Sequence, residues 1–323
     1  MLTLAILLEA IGAMFGMALF FFIAGVFTPR SLARKGPGRF LADRLIRLGV
    51  PMVFFILVLS PIVEYADPDS TGWNKGFAAF AIHIWWPPVP GPTWFLGVLL
   101  LFSGVYAVVR TVWPQRTTSP APPSAWQLVT AATVIAAASY AVRFAVPLGE
   151  ERWHLALGQA PAWVVGFALG ALAAERGWLD PLEPLSARRV RVAAWTALAG
   201  CVVVMGVASA MGTDIDDFGG GGTWQSLVIC VLEGVLVVTM SLWLVDLFRR
   251  RLDHQSRLAR EMSRAAFAAF VVHQVVLVGL VLASRQVPWA PEVEYAVVGL
   301  LGVVGSFAVG SLLVRLPGVS RVV

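Results

Sequence analysis

The sequence has little charge and almost no lysine. Only 13% of its 323 residues are Asp, Glu, Lys or Arg, whereas 58% are hydrophobic. Soluble domains carry roughly a quarter of their residues as charged side chains, so this composition excludes an ordinary soluble globular protein. Of the 24 cations 22 are arginine, and only Lys35 and Lys75 are lysine. A single arginine in this chain is therefore weak evidence for a site that selects arginine.

The sequence also lacks the common signatures of metal and nucleotide sites. Its two cysteines, Cys201 and Cys230, lie inside apolar runs without metal-ligand spacing, and we interpret them as packing residues. The run Gly219–Gly222 is not followed by the Lys-Ser/Thr pair of a phosphate loop. The sequence has no HExxH motif, Rossmann fingerprint or nucleophile elbow. No bound metal is predicted.

Long apolar runs dominate what is present. A helix needs about 20 residues to cross the hydrocarbon core of a bilayer. The run Gly76–Trp86 is shorter than this, and we interpret it as interfacial or re-entrant. We therefore predict one all-α polytopic transmembrane helix bundle over residues 1–323. Its nine spans are predicted at 3–27, 48–65, 93–112, 126–146, 156–174, 191–210, 224–247, 264–284 and 295–315.

The cations lie almost entirely in alternate loops. Six of them lie in the loop predicted at 28–47, and counting nine spans places 20 of the 24 on the same side as that loop. Short cationic loops stay in the cytoplasm, so the C-terminus is predicted to be cytoplasmic. The positive charge then reflects orientation and contact with anionic membrane lipid, and no nucleic-acid partner is predicted. Nine spans leave the N-terminus outside, so we expect that a first helix is missing from this chain.

Four ionisable residues lie inside the predicted spans, where each costs about 2.5–3.5 kcal/mol on insertion scales. Glu9 and Arg143 lie toward the outer ends of their spans, and Glu233 and His273 lie near mid-depth on consecutive spans. A carboxylate beside an imidazole can orient the ring as a general base for a hydroxyl. The alternative is that Glu233 and His273 only satisfy buried polar groups between helices.

Three arginines, Arg39, Arg44 and Arg47, lie five and three residues apart on a predicted helix that enters the membrane. Guanidinium groups bind phosphate in a bidentate manner, so this segment is a candidate site for a phosphate-bearing donor. The alternative is that these arginines anchor the segment to anionic headgroups.

Several segments together resemble the membrane-integral acyltransferase family 3, bacterial enzymes that O-acylate envelope carbohydrates, including glucan-modifying and O-antigen-modifying members. The resemblance extends over essentially the whole chain. The similar segments are MALFFFIAGVF, SLARKGPGRFLADRLIRLGVP, PTWFLGVLLLF, APAWVVGFALGALAAERGW, GGTWQSLVICVLEG, AAFAAFVVHQVVLV and VRLPGVSRVV.

The resemblance implies ten helices in the bacterial inner membrane and transfer of an acyl group from acyl-CoA, such as acetyl-CoA or succinyl-CoA, to a hydroxyl of a glycan or other envelope acceptor. The family's Arg and His in its first helix have no counterpart here. The resemblance and the charge pattern together predict Glu233 and His273 as catalytic residues. They predict Glu9, Arg39, Arg44, Arg47, Trp94 and Phe95 as substrate-binding residues.

Two other functions are compatible with the residues alone. A transporter or flippase of an envelope precursor would also be a polytopic bundle, but the inverted repeats and paired broken helices that are common in transporters are not visible. A catalytically inactive, truncated homologue is the second alternative. The oligomeric state is not predicted.

Overall fold

The structure, a computed structural model, describes residues 2–66, 76–83, 89–114, 122–178, 184–214, 216–251 and 256–319. Nine helical segments in these ranges are long and apolar enough to cross a membrane. The predicted all-α polytopic transmembrane bundle is therefore confirmed. In chain order the helices are α1 Leu2–Lys35, α2 Pro37–Arg44, α3 Val50–Phe54, α4 Ser60–Ala66, α5 Phe77–His83, α6 Trp94–Val112, α7 Ala125–Val142, α8 Ala160–Glu175, α9 Pro184–Ala210, α10 Asp216–Gly219, α11 Trp224–Arg251, α12 Arg257–Ser284 and α13 Pro291–Leu313.

The helices form two compact units. Unit 1 comprises Met1–Leu2, Gly38–Val105 and His254–Val323, and unit 2 comprises Thr3–Pro37 and Tyr106–Asp253. The prediction of a single domain over 1–323 stays a prediction, and each unit is described by itself below.

The basic segment is helical, so the loop predicted at 28–47 is wrong, whereas the helix predicted to carry Arg39, Arg44 and Arg47 is confirmed. Helix α1 continues to Lys35, and α2 begins two residues later at Pro37. Gly36 between them has a φ of 70° and donates its N–H to the carbonyl of Leu32 at 2.9 Å. A glycine in the left-handed region commonly ends a helix, since it has no Cβ to clash. Gly36 alone therefore connects the two helices, where the sequence analysis predicted a loop.

The span after Gly36 contains two single turns of π-helix, Leu45–Gly49 and Phe55–Leu59. A proline cannot donate to the carbonyl four residues earlier, and its ring clashes with that carbonyl. For Pro51 that residue is Arg47, and for Pro61 it is Leu57, so each π turn surrounds a carbonyl that a proline disrupts. The two prolines thus explain the positions of the two π-helical turns in this span.

In unit 1, α12 packs along α13 and also contacts α4, the π turn at 55–59 and the short 3-10 turn Gly91–Thr93. A Cβ at Gly310 of α13 would lie 2.7 Å from the backbone nitrogen of Ala269 in α12, so glycine permits this close crossing. These contacts bring the start of α6, which directly follows the turn, to the face of α12.

In unit 2, α11 is the central helix and packs against α7, α8 and α9. Helices α1 and α8 cross closely, because a Cβ at Gly166 would lie 2.8 Å from the carbonyl oxygen of Ala18 and one at Gly170 would collide with that of Phe22. Small residues at such crossings are typical of membrane helices, which gain stability from close packing. Phe22, Ile135 and Val237 are buried in the core that results.

Helix α5, Phe77–His83, has seven residues and is too short to cross the hydrocarbon core, in agreement with the prediction of a non-spanning segment. The rest of the run, 84–86, lies outside the described residues.

Candidate functional site

His273 lies in α12 of unit 1 and is half-buried. Its Nδ1 lies 2.5 Å from the carbonyl oxygen of Phe270. A carbonyl only accepts hydrogen bonds, so Nδ1 carries the proton that is donated. In the neutral ring the lone pair therefore resides on Nε2, which is the arrangement that makes an imidazole a base on that side. The local geometry of α12 thus prepares His273 to accept a proton.

Gln274, the next residue, has a buried side-chain Oε1 with no hydrogen-bond partner among the described residues. Gly91 lies beside it: a Cβ on Gly91 would be 2.5 Å from this Oε1 and 2.6 Å from the Cε1 of Phe55. Gly91 also has a φ of 46°, so both space and backbone require glycine at this position. Since buried polar atoms are nearly always paired, this unpartnered oxygen distinguishes Gln274 from most buried polar side chains.

The predicted residues Trp94 and Phe95 begin α6, directly after the 3-10 turn. The buried Thr93 closes this turn by donating its hydroxyl to the carbonyl of Pro90 at 2.6 Å. The Phe95 ring packs edge-on to Phe270 with centroids 6.1 Å apart, and Phe270 lies 5.6 Å from the ring of His273. The structure therefore brings the Trp-Phe segment and His273 together through one shared phenyl ring.

The three predicted arginines of the basic segment differ in their surroundings. Arg44 is half-buried, with its guanidinium 5.3 Å from the centre of the Phe40 ring. Arg47 is exposed and pairs with Asp43 at 3.3 Å, one helical turn earlier. Arg39 is exposed. Of the three arginines, Arg44 has its guanidinium against an aromatic ring of its own helix, and Arg39 and Arg47 are exposed.

An apolar cavity of about 380 Å³ begins where this basic segment ends. It is lined by Val50, Pro51 and Phe54 on one side and by Ala268, Val271 and Val272 of α12 on another. His273 directly follows Val272. The cationic segment and the apolar cavity therefore adjoin each other within unit 1, and His273 is next to a cavity-lining residue in sequence but is not itself part of the lining.

Unit 2 contains a different cluster, built around Glu233 of α11. Glu233 is 0% exposed, and its Oε2 accepts a hydrogen bond at 2.8 Å from Nη2 of Arg143, which is 1% exposed. Arg143 directly follows α7, where its guanidinium also donates to the carbonyl of Gly158 at 3.2 Å and to Sγ of Cys230 at 3.1 Å. The other carboxylate oxygen, Oε1, and the hydroxyl of Ser139 are buried without a hydrogen-bond partner in the described ranges. This guanidinium and carboxylate compensate each other inside the protein.

The pairing with Arg143 is the relationship that the sequence analysis missed. Both residues were identified as charges inside spans, but Arg143 was assigned to the outer end and Glu233 to mid-depth. The signal was present, since two opposite charges in apolar runs each need a partner. The long arginine side chain bridges the difference in depth that was counted from backbone positions alone. The prediction that Glu233 is catalytic stays a prediction.

A second ion pair in unit 2 was also missed. Glu175 at the end of α8 accepts a hydrogen bond from the hydroxyl of Tyr106 and another from Nη2 of Arg110, both at 2.5 Å. The Arg110 guanidinium also lies over the Tyr106 ring, 5.4 Å from its centre. The sequence signal for this contact was the spacing of Tyr106 and Arg110, which lie four residues apart on one face of α6.

Glu9 lies in α1, and its side chain is outside the described part of the structure. In the described ranges no group of three His, Cys, Asp or Glu side chains is arranged to hold a metal ion.

The fold defines a multi-pass α-helical membrane protein, and comparisons with known proteins define its class. A model of an acyltransferase domain, that of acyltransferase family 3, matches residues 2–315, so the chain belongs to this family. The resemblance that the sequence motifs predicted is confirmed, as is the general class of membrane acyltransferase.

The chain is similar to the glucans biosynthesis protein C of Salmonella gallinarum, Salmonella paratyphi B and Salmonella dublin. Each is 25% identical over 279 residues, which cover 80% of this chain and 68% of the relative. No solved structure matches the chain significantly.

Proposed function

We propose that this protein is an O-acyltransferase of the bacterial inner membrane, which moves an acyl group from acyl-CoA to a hydroxyl of an envelope glycan. The observation that carries the proposal is the geometry of His273: its Nδ1 is fixed on the Phe270 carbonyl, which leaves Nε2 as a base. Membership of an acyltransferase family supports the reaction type.

The proposed reaction proceeds in two stages. The acceptor hydroxyl transfers its proton to Nε2 of His273 while its oxygen attacks the carbonyl carbon of the thioester. The tetrahedral intermediate then expels the CoA sulfur, the C–S bond breaks, and the proton on His273 passes to the departing thiolate. The products are an ester on the acceptor and free CoA-SH. A base held in the productive orientation reduces the entropic part of the barrier.

The donor site is proposed at the start of the second span. Phosphate groups of CoA would lie near the cationic side chains of Arg39, Arg44 and Arg47. The apolar cavity beside Val50 and Pro51 would receive the less polar part of the donor. Acetyl-CoA and succinyl-CoA are the donors proposed.

The acceptor is proposed to be a glucan or related carbohydrate, because the named relatives are glucan biosynthesis proteins. A sugar carries many hydroxyl donors, and one of them would satisfy the unpartnered Oε1 of Gln274. The neighbouring aromatic residues Trp94 and Phe95 provide an apolar surface for a sugar ring. The acceptor is proposed to enter from outside, with the C-terminus in the cytoplasm.

For Glu233 the pairing with Arg143 favours a positioning role within unit 2. A carboxylate that is fully buried and already paired is poorly placed to take a proton from a substrate. Catalysis by Glu233 and a purely structural role are separated by the variants described in the Discussion.

The test is acyl transfer by the purified chain in lipid vesicles. The vesicles receive acetyl-CoA or succinyl-CoA with labelled acyl carbon and a glucan oligosaccharide, and base-labile label on the sugar is counted together with free thiol. We expect equal amounts of ester and CoA-SH, and we expect His273→Gln to abolish both. The matched control His154→Gln changes a histidine in a loop of unit 2 and should leave both unchanged.

Sugar accumulation inside the vesicles without thiol release would contradict the proposal and favour a transporter. Equal turnover by His273→Gln and the unsubstituted chain would remove His273 from the reaction.

A further inference from the structure

An apolar groove of about 670 Å³ lies in unit 2. Its walls are α1 and the last turns of α11, and its floor is the end of α8 and the turn that follows, where Ala173, Ala174 and Gly177 have little or no side chain. The rings of Phe20, Phe27 and Phe248 are more than half exposed along its edge. The groove therefore results from the way in which these helices pack.

The groove has two cations at one end. Arg30 of α1 and Arg249 of α11 line it, and the lining residues include no carboxylate. In the described ranges neither arginine forms an ion pair, whereas Arg250, the neighbour of Arg249, is paired with Asp246 at 2.8 Å. Two guanidinium groups without a counter-charge, next to an apolar surface, favour the binding of an anion that also has an apolar part.

The length of the groove matches one leaflet of a bilayer. From Leu19 to Arg30 it follows eleven residues of α1, which is about 17 Å at 1.5 Å per residue. Half of the hydrocarbon core of a bilayer is about 15 Å thick. With the apolar part within one leaflet, the two arginines lie at the depth of the headgroups.

We propose that this groove binds one anionic glycerophospholipid from the surrounding leaflet. An acyl chain lies along the groove against Phe20, Ile23 and Phe27, and the phosphate binds Arg30 and Arg249. Arg249 lies in the last turn of α11, where a cationic side chain is favoured by the helix dipole. The proposal does not depend on the acyl-transfer activity.

The test places a photoreactive benzoylphenylalanine at Phe27, which is 65% exposed, in the full chain. The protein is reconstituted in vesicles of equal parts phosphatidylglycerol and phosphatidylcholine, irradiated, and its adducts are identified by mass spectrometry. We expect phosphatidylglycerol adducts to exceed phosphatidylcholine adducts about fivefold, since cations near a membrane surface attract anionic lipid. The same probe at Val203, an exposed apolar residue of α9 outside the groove, should give a ratio of about one.

Arg30→Gln/Arg249→Gln should lower the ratio at Phe27 to about one. The matched control Arg34→Gln/Arg251→Gln removes two exposed arginines from the same two helices outside the groove and should keep the fivefold preference. A ratio near one at Phe27 in the unsubstituted chain, an equal loss in both double variants, or adducts mainly with a second copy of the chain would each overturn the proposal.

Discussion

Glu233 and His273 are both ionisable residues near the middle of a span, yet their surroundings differ. Glu233 in unit 2 is fully buried and paired with Arg143. His273 in unit 1 is half-buried, and only its Nδ1 has a described partner, the Phe270 carbonyl. One oxygen of the first group is held by a counter-charge, whereas the second group has no counter-charge within the described ranges and has one nitrogen left for a ligand.

This difference predicts which of the two residues contributes to stability and which contributes to catalysis. A charge inside a membrane protein is tolerated when a counter-charge compensates it, and such a pair mainly holds helices together. An ionisable group that no counter-charge holds retains the capacity to transfer a proton. We therefore expect substitutions in the Arg143 cluster to change stability and substitutions around His273 to change turnover.

The largest loss of stability is expected for Arg143→Ala. It leaves the Glu233 carboxylate buried without its partner, which costs about 3–5 kcal/mol for a buried ion pair. The measurement is the free energy of unfolding of the purified protein, titrated with dodecyl sulfate. The control Arg152→Ala removes an arginine from an exposed pair with Glu150 and should cost less than about 1 kcal/mol. Equal losses for the two variants would contradict the comparison.

The largest loss of turnover is expected for His273→Gln. Removal of a general base lowers the rate by about 10²–10⁴-fold, and the free energy of unfolding should change by less than about 1 kcal/mol. Ester formation and unfolding are measured on the same preparation. A variant that loses stability and turnover in parallel would show that His273 is structural, as Glu233 is in this account.

Tyr106→Phe should lower stability without changing the chemistry. It removes the hydroxyl that donates to Glu175, and a hydrogen bond to a charged group contributes about 1.5–3 kcal/mol. Tyr295→Phe is the control, since Tyr295 is exposed and its hydroxyl forms no hydrogen bond within the described ranges. Turnover at a temperature where the protein stays folded should match the unsubstituted chain, and a selective loss of turnover would place catalysis in unit 2.

Gly91→Ala is expected to lower stability modestly and to act on the unit 1 site. A Cβ there would contact Gln274 and Phe55 and would require a strained left-handed conformation, which costs about 1–3 kcal/mol. Because the turn positions Trp94 and Phe95, the Michaelis constant for the sugar should rise. Gly104→Ala in α6 adds a Cβ that meets nothing within 4 Å and should change neither quantity.

The spans could be predicted from the sequence because membrane insertion depends on length and hydropathy, which are local properties. All nine predicted spans coincide with helices. The boundary at 28–47 could not be predicted, since the six cations suggested a loop, whereas arginine and lysine also favour helices. Gly36 alone separates the two helices.

Parts of the site were accessible from the sequence and other parts were not. His273 and the Trp94–Phe95 segment were identified from an intramembrane charge and a family motif. The contact that fixes the ring, from Nδ1 to the Phe270 carbonyl, and the open Oε1 of Gln274 depend on side-chain rotamers, which spacing does not determine. The Arg143–Glu233 pair depends on the reach of an arginine between two helices that are about 90 residues apart in the chain.

The most direct measurement is the turnover of Arg143→Met/Glu233→Leu, which replaces the buried ion pair with apolar side chains of similar size. Such replacements are often neutral or stabilising, so the variant should stay folded. If Glu233 only positions helices, ester formation should remain within about tenfold of the unsubstituted chain. A folded variant with the 10²–10⁴-fold loss expected for a missing base would contradict the account and make Glu233 part of the chemistry.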